Sequence, residues 1–375
     1  MKSVLFITDL LAGSRVPELA GIRTEAATRG WHVEEIELAR LKGPVEKVIS
    51  YWNPVGCIVE GSGTLHPAHR VFGNRPVVWI DPPERILNNP GVPTVANDNA
   101  AIADLAFKTL TKLMPAAYAF IGWAHCGWSR ERGNRFVKRL KDLGKACHVH
   151  NDPWTLGNKA DFASRLRPFL ARLPRPCGIF AVNDAFASVI LDICKMDGIT
   201  VPGDFFIVGV DDDPTVCDHT TPSLSSVRPN FTQGGQRAAR LLASGEIRKL
   251  VFSPLGITER LSTRRISRLA PRLVEALDLI RREACNGLKA SDVVRAIGVT
   301  ERLAETRFKA ATGKRITEEI TDVRFERVFQ LLSTPNQTLG SIANFCGWDS
   351  DIYLRRLFKS RTGLTMTQWR TQHRI

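Results

Sequence analysis

One segment of this 375-residue chain occurs twice, and this repeat constrains the fold more than any other feature of the sequence. The run SDVVRAIGVTERLAETRFKAATG at residues 291–313 aligns with LGSIANFCGWDSDIYLRRLFKSRTG at residues 339–363. Phe308 and Phe358 are equivalent in the two copies, and each is followed by a lysine. Each copy predicts a helix, a tight turn and a second helix.

Small residues stand where two such helices would approach each other. Ala296 and Ala343 precede the turn glycines Gly298 and Gly347. In a helix-turn-helix that binds DNA, the second helix enters the major groove. A duplicated helix pair with phenylalanine on its inner side also fits a helical dimerisation bundle, which is the alternative interpretation.

The distribution of charge favours DNA over a bundle. Residues 264–375 contain 21 Lys and Arg against 12 Asp and Glu, a net charge of +9, whereas the whole chain carries +14. The first 263 residues therefore hold only +5. A basic region that coincides with paired helix-turn-helix units indicates double-stranded DNA as its partner.

The first 263 residues alternate short β-rich runs with amphipathic helical stretches. Strands are predicted at residues 3–8, 57–60, 77–80, 117–122, 178–182 and 205–210, and helices at 17–29, 100–113, 131–143, 160–173 and 185–196. This alternation predicts an α/β fold with parallel sheets covered on both faces. Two such sheets fit before residue 265.

After residue 263 the pattern is entirely helical. Helices are predicted at residues 269–284, 290–297, 301–311, 316–332, 339–346 and 352–362. We therefore expect an α/β domain at residues 1–263, a linker at 264–270 and an all-α domain at 271–375.

The remaining composition indicates a cytoplasmic protein. No apolar run reaches the roughly 20 residues that a membrane span needs, so no membrane partner is expected. Asp9 interrupts the apolar start that would otherwise resemble a signal peptide. The eight cysteines form no C-x-x-C pair, which is typical of reduced, buried thiols.

Signals for catalysis or metal binding are weak. The GSG at residues 61–63 lacks the end of a phosphate loop, and neither His66 with His69 nor Cys147-His148 with His150 completes a four-ligand metal site. No cofactor, metal or catalytic residue is predicted. An enzyme with a doubly wound α/β domain and a helical accessory domain stays open as the alternative function. A sugar-transport component would have no use for the helix-turn-helix repeat.

About 100 C-terminal residues resemble the AraC-type DNA-binding domain. The resemblance includes Ile342-Ala343, Cys346-Gly347-Trp348, Phe358-Lys359, Gly363 and Trp369-Arg370. It implies two recognition helices in successive major grooves. By position, the base-facing candidates are Arg302, Glu305 and Thr306 in the first helix, and Asp351, Ile352, Arg355 and Arg356 in the second.

Three residues depart from that family's pattern. Ala304 stands where a larger apolar residue is usual, and Thr306 stands where arginine is frequent. Asp351 brings a negative charge close to the phosphates. We therefore expect the first recognition helix to contribute less sequence specificity than the second.

The first 263 residues resemble the effector domain of the LacI and periplasmic-binding-protein superfamily. The similar segments are VANDNAAIADLAFKTL from residue 95, AVNDAFA from 181, IVGVDDDP from 207 and ITERLSTR from 257. The resemblance implies two lobes joined by three crossings, near residues 96–99, 227–231 and 253–258, with a small sugar between the lobes. The candidate effector-binding residues are Arg132, Asn183, Asp184, Asp211, Asn99 and Trp128.

Two further residues have ordinary structural interpretations. Asp98 is placed to cap a helix, as Asp184 also is, and Trp79 is expected in the core rather than against a ligand.

An effector domain of this kind joined to an AraC-type tail is similar to the XylR family of xylose-responsive regulators. That resemblance implies a transcription regulator controlled by a pentose such as D-xylose. It also implies a homodimer that binds an operator or promoter, and RNA polymerase as a partner if the regulator is an activator.

Overall fold

The chain divides into two units in the computed structural model, which describes residues 2–9, 14–63, 65–124, 126–153, 158–264, 271–332 and 337–372. The first unit comprises Met1–Cys217 and Leu224–Thr263, and the second comprises Asp218–Ser223 and Arg264–Ile375. Most of the predicted linker at residues 264–270 lies outside the described residues.

The first lobe of the α/β unit is built on a six-stranded parallel sheet in the order β11-β5-β4-β3-β1-β2. Its strands are β1 (Lys2–Thr8), β2 (Trp31–Glu37), β3 (Gly56–Glu60), β4 (Val77–Ile80), β5 (Thr94–Asn97) and β11 (Lys249–Phe252). Its helices are α1 (Arg15–Ala27), α2 (Val45–Trp52), α3 (Glu84–Leu87) and α9 (Phe231–Ser244).

The centre of strand β1, residues 4–7, is continuously apolar because it is buried on both faces. Successive side chains of a strand point to opposite faces, and both faces of this sheet are covered. Val4 and Phe6 join the hydrophobic cluster beneath α1 and α9, whereas Leu5 and Ile7 join the cluster beneath α2.

The second lobe has a six-stranded sheet in the order β12-β10-β9-β8-β6-β7, parallel except for β12. Its strands are β6 (Ala117–Trp123), β7 (His148–Asp152), β8 (Cys177–Ala181), β9 (Phe205–Val210), β10 (Ser225–Arg228) and β12 (Gly256–Thr258). Its helices are α4 (Asn99–Lys112), α5 (Gly127–Asp142), α6 (Lys159–Ala171), α7 (Asp184–Met196) and α8 (Pro214–Cys217). One aromatic-rich core, including Phe120, Phe136, Phe180 and Phe186, fills this lobe.

The chain passes between the lobes three times. The crossings lie between β5 and α4, between β10 and α9, and between β11 and β12. The predicted two-lobed α/β fold and its three crossing regions are thereby confirmed.

Helices α1 and α9 approach closely enough to require glycine at their contact. A Cβ atom on Gly21 would lie 2.0 Å from the carbonyl oxygen of Thr232, and one on Gly235 would lie 2.1 Å from that of Glu18. Since both obstacles are backbone atoms, the helices must separate to admit even a methyl group.

We therefore expect Gly235→Ala to lower the free energy of unfolding by about 3 kcal/mol, at the upper end of overpacking costs. Gly127→Ala is the matched control, because a Cβ atom there meets nothing within 4 Å. Urea denaturation of both variants measures the difference. Equal stability of the two variants would contradict the close helix contact.

The C-terminal unit contains α10 (Pro271–Glu283), α11 (Ala290–Ile297), α12 (Glu301–Thr312), α13 (Ile316–Leu332), α14 (Leu339–Phe345), α15 (Asp351–Thr362) and α16 (Met366–Gln372). Four short 3-10 turns complete the description of both units, at Leu38–Arg40, His69–Phe72, Leu261–Thr263 and Ala284–Asn286. Across the described ranges, every helix is too short or too polar to span a membrane.

Candidate effector cleft and nucleic-acid interface

Acidic side chains gather where the strands of the first lobe end. Asp9 follows β1, Glu60 ends β3 and Asp81 follows β4, so all three lie at the carboxyl edge of the sheet, and all are buried. Asp81 accepts hydrogen bonds from the backbone amide of Asn97 at 2.8 Å and from its side-chain amide at 2.6 Å. Glu60 accepts one from the backbone amide of Ser62 at 2.7 Å. This edge of a parallel sheet is where α/β proteins bind ligands.

Glu18 on α1 adds a fourth buried carboxyl group to this edge. Its side chain is fully buried, and neither carboxylate oxygen has a well-formed hydrogen bond to a described residue. Burial raises the pKa of Glu18 well above its usual value, and the nearby charges of Glu60 and Asp81 reinforce the shift. Glu18 therefore favours a neutral, protonated form or a ligand that donates hydrogen bonds to it.

Arg132 on α5 is the buried cation that faces these acids from the second lobe. Its Nε donates to Asn99 Oδ1 at 3.0 Å and its Nη1 to the carbonyl oxygen of Val182 at 2.8 Å. Its guanidinium lies 4.7 Å from the ring centre of Trp128. The attractions of Asp211 and Asp81 partly offset the burial that lowers the pKa of Arg132. Arg132 is therefore attracted electrostatically by carboxylates of both lobes.

Asp184, at the start of α7, holds the loop after β9. Its Oδ1 accepts from Ser226 Oγ at 2.6 Å, and its Oδ2 accepts from the Asp213 backbone amide at 3.0 Å and from the Cys217 thiol at 3.1 Å. With both oxygens engaged, Asp184 connects the start of α7 to the loop that also carries Asp211. Burial raises the pKa of Asp211 to about 7, although Arg132 opposes that shift.

The other predicted effector residues also have partners within the chain. Asn183 Oδ1 accepts from the Phe186 backbone amide at 2.9 Å and so caps α7. Asn99 donates to Glu131 at 2.8 Å as well as accepting from Arg132. Asp98 caps α4, and Trp79 is fully buried, as their structural interpretations predicted. The capping role predicted for Asp184 was wrong, because Asn183 caps α7 and Asp184 is the first residue of that helix.

Three aspartates at these strand ends adopt a left-handed backbone. The φ angles of Asp81, Asp211 and Asp212 are 43°, 115° and 52°. Such conformations are costly for non-glycine residues and cluster at ligand sites. Asp212 is held in place by Thr258 Oγ1 at 2.6 Å and by Arg260 at 2.7 Å.

Two contacts join the lobes across the cleft. The Trp128 indole Nε1 donates to the carbonyl oxygen of Ser62 at 3.1 Å, and Arg130 forms an ion pair with Glu84 at 2.6 Å. Asp9, Glu18, Glu60 and Asp81 thus share one cleft with Arg132, Trp128 and Asp211. The effector residues predicted from the sequence lie only in the second lobe and at the crossing. Applied to the predicted strands at 3–8, 57–60 and 77–80, the same strand-end rule finds Asp9, Glu60 and Asp81.

The cleft acids make stability depend on pH. Burial raises the pKa of Glu60 from 4.5 to about 7, despite its hydrogen bond from Ser62. A raised pKa in the folded state means that the stabilisation is complete below pH 4.5 and is lost as the pH rises through 7. We expect Glu60→Gln, which retains an oxygen for Ser62, to reduce the loss of stability between pH 5 and pH 8 by about 3 kcal/mol. Chemical denaturation at both pH values, followed by tryptophan fluorescence, measures this change. Identical pH dependence in the variant and the natural protein would refute the assignment.

The C-terminal unit contains two helix pairs with the geometry that the repeat predicts. Gly298 and Gly347 end the first helix of each pair with φ angles of 72° in both turns. Ala304 and Phe308 of α12 are buried against the unit's core, as are Leu354 and Phe358 of α15. The opposite faces of α12 and α15 are therefore left to solvent.

The predicted DNA-contacting residues lie on these outer faces. Arg302 and Thr306 of α12 are exposed, as are Ile352, Arg355 and Arg356 of α15, whereas Glu305 and Asp351 are half-buried. Thr306 Oγ1 donates to the Arg302 carbonyl oxygen at 2.7 Å. Arg355 forms an ion pair with Asp351 at 2.8 Å. Asp351 therefore orients Arg355, while Arg356 has no ion pair with any residue that the structure describes. Arg307 is also exposed on α12, although it was not among the predicted DNA contacts.

Comparison with known families identifies a domain in each unit. Residues 116–274 match the periplasmic binding protein-like domain, and residues 293–372 match a helix-turn-helix domain. The xylose operon regulatory protein of Escherichia coli strain K12 is 29% identical over 291 residues, covering 75% of this chain and 74% of that protein. Its counterpart in Haemophilus influenzae is 28% identical over 296 residues, covering 75% of each chain.

Solved structures show the same fold. A structure described as the xylose-binding transcription activator XylR matches with a TM-score of 0.64 at 24% identity, covering 100% of this chain and 98% of that one. A complex of the transcriptional regulator CelR with cellobiose matches with a TM-score of 0.58 at 19% identity, covering 70% of this chain and 84% of that one.

Proposed function

We propose that this chain, a transcription regulator with a periplasmic-binding-protein-like domain and an AraC-type helix-turn-helix domain, binds operator DNA under the control of a sugar held between its two lobes. Its relatives regulate transcription and are not enzymes, which sets aside the enzyme alternative. We assign effector binding to residues 1–263, the linker to 264–270 and DNA binding to 271–375.

The observation that carries the proposal is the pair of exposed recognition helices in the most basic part of the chain. Arg302 on α12, and Arg355 and Arg356 on α15, point away from the core of a region with a net charge of +9. Arginine can hold a guanine bidentately in the major groove. Two such helices on one scaffold can read two successive segments of a duplex.

The charge of the cleft limits the chemistry of the effector. Five buried or partly buried carboxyl groups, Asp9, Glu18, Glu60, Asp81 and Asp211, share the cleft with the one buried arginine that we assign to it, Arg132. Hydroxyl groups of a neutral sugar can donate to these oxygens and relieve the cost of burying them. A sugar acid or sugar phosphate would add negative charge. We therefore propose a neutral polyhydroxyl effector, with D-xylose the first candidate because xylose operon regulators are among the relatives.

The effector controls DNA binding only to the extent that it binds the closed lobes better than the open ones. Trp128 contacts Ser62 and Arg130 pairs with Glu84 from one lobe to the other, and we assign these two contacts to the closed state. We further propose a cytoplasmic homodimer whose two tails reach paired half-sites, with RNA polymerase as the partner if the regulator activates transcription.

The proposal is tested by two measurements on the full chain. The first compares binding to its own upstream intergenic DNA with binding to scrambled DNA of equal length, over a salt series. The second measures thermal stabilisation by D-xylose, with the anionic D-xylonate as a matched control. We expect a preference for the upstream DNA, and stabilisation by a neutral sugar but not by D-xylonate. Equal, steeply salt-dependent binding to both DNAs would contradict the proposal, because it would mean that the C-terminal unit binds the phosphates by charge and does not read the sequence.

Arg356 offers a sharper test of sequence reading. Arg356→Ala is expected to cost about 1–3 kcal/mol of operator affinity and to relax specificity at one base pair, as loss of a bidentate guanine contact does. Arg40→Ala, an exposed arginine of the α/β unit, is the control. Fluorescence anisotropy with single-base operator variants measures both effects. A uniform loss on all sequences would instead identify Arg356 as a phosphate contact.

A further inference from the structure

Two cysteines of the C-terminal unit lie together at the turn of the second helix-turn-helix. Cys285 is in the short turn Ala284–Asn286 after α10, and Cys346 directly follows α14. Cys346 is fully buried in the core around α13, α14 and α15, and the half-buried Cys285 packs against that core. A Cβ atom on Gly347 would lie 2.8 Å from the carbonyl oxygen of Cys285. The backbones of the two turns are therefore in direct contact.

The two thiols lie in a basic environment. The interaction with the Cys346 thiol lowers the pKa of Cys285 to about 7, partial burial opposes this shift, and Arg324 and Arg327 of α13 add to it. Arg324 is fixed there, because its Nε donates to the Ala284 carbonyl oxygen at 2.7 Å and its guanidinium lies 5.5 Å from the ring centre of Trp348.

The remaining six cysteines are in the α/β unit and have the opposite character. Burial raises the pKa of every one of them, at residues 57, 126, 147, 177, 194 and 217. Thiolate character and exposure decide which cysteine reacts with an oxidant. Cys285 is partly exposed and, unlike the equally accessible Cys126 and Cys147, has a lowered pKa, and Cys346 lies beside it as a second thiol.

We propose that Cys285 and Cys346 form a reversible dithiol–disulfide pair that responds to hydroperoxides. The Cys285 thiolate attacks the peroxide oxygen, the O–O bond breaks, and Cys285 becomes a sulfenic acid while hydrogen peroxide is reduced and releases water. The Cys346 sulfur then attacks the Cys285 sulfur, forming the disulfide and releasing the oxygen as a second water. Overall, two thiols and one peroxide give one disulfide and two waters, and a dithiol reductant reverses the change.

The disulfide would act on DNA binding through the second recognition helix. Cys346 lies in the turn that leads from α14 to α15, so a covalent bond to Cys285 ties this turn to the segment that precedes the first helix-turn-helix. We expect this tie to restrict the movement of α15 as it docks in the major groove. We expect oxidation to weaken operator binding about tenfold, within the range of couplings between distinct sites.

The test treats the full chain with a few molar equivalents of hydrogen peroxide, followed by peptide mass spectrometry and operator binding. We expect a peptide pair linked through Cys285 and Cys346 that dithiothreitol separates, with operator affinity falling and recovering in parallel. Cys346→Ser should instead accumulate a sulfenic acid on Cys285 that dimedone traps. Cys285→Ser, at the more exposed position, should form neither product and should retain its operator affinity after peroxide treatment.

Oxidation confined to other cysteines, or a disulfide that leaves operator affinity unchanged, would overturn the proposal. The operator readout rests on the proposed function, but the linked peptide does not. Failure of the reduced protein to bind DNA would therefore count against the proposed function alone, whereas absence of the linked peptide would count against the switch alone.

Discussion

Replacing Arg132 with methionine is expected to abolish the response to the effector. Arg132 is the buried guanidinium that faces Asp81 and Asp211. Its bonds to Asn99 and to the Val182 carbonyl connect α5 with the start of α4 and with the residue that follows β8. Methionine keeps much of the side-chain length but removes the charge and every donor. The cleft then holds carboxyl groups alone, and leaving such groups without their cation costs about 3–5 kcal/mol of stability.

The effector response separates a binding role from a structural one. In the natural protein, an effector at 100 times its Kd should raise the free energy of unfolding by about 2.7 kcal/mol. Arg132→Met should show no rise at the same concentration. Lys138→Met is the matched control, because it also replaces a cation of α5 with methionine but at an exposed position. An undiminished effector shift in Arg132→Met would remove Arg132 from the site.

Replacing Phe358 with alanine is expected to unfold the second helix-turn-helix. Phe358 is fully buried, with ring centres 5.4 Å from Phe329 and 6.1 Å from Phe325. It joins α15 to α13, so its loss frees the second recognition helix. A buried phenylalanine replaced by alanine costs about 3–5 kcal/mol. Operator binding should fall to the non-specific level.

A second phenylalanine provides the control for this change. Phe345 lies at the end of α14 and is 63% exposed, so Phe345→Ala should change stability by no more than about 0.5 kcal/mol. Thermal unfolding of both variants, followed by circular dichroism at 222 nm, makes the comparison. If Phe358→Ala unfolds at the same temperature as Phe345→Ala and the natural protein, Phe358 does not stabilise the core between α13 and α15.

The repeat and the buried strands could be predicted from sequence because both have strong local signals. The turn glycines predicted the positions of α11 and α14 correctly, and the apolar runs predicted those of β1, β4 and β9, which are covered on both faces. Six strands were missed, namely β2, β5, β7, β10, β11 and β12. They lie toward the edges of their sheets or are short, so polar residues replace the apolar run. Helix α9 was missed although Asn230 caps it, because Gly234 and Gly235 weaken its helical signal.

The cleft could be predicted only in part, because its side chains form hydrogen bonds with residues far away in the sequence. The hydrogen bond from Ser226 to Asp184 spans 42 positions, and that from Arg132 to Val182 spans 50. The hydrophobic periodicity shows which strand a residue follows. It does not show whether a loop elsewhere in the chain donates hydrogen bonds to that residue's carboxylate oxygens. Sequence therefore selected Asp184 and Asp211 alike, and only the structure distinguishes the bonded carboxylate from the one beside Arg132. The assignments of effector and DNA contacts stay predictions.

The most direct test of a sugar-controlled regulator is the operator Kd of the full chain, measured by fluorescence anisotropy at fixed salt with and without a neutral sugar. We predict a change of about 5- to 150-fold with one sugar of a panel headed by D-xylose, and the reciprocal change in sugar affinity when operator is bound. Arg132→Met should bind the operator with a Kd that no sugar alters. An operator Kd of the natural protein that is the same with every sugar of the panel would contradict the coupling between the cleft and the recognition helices.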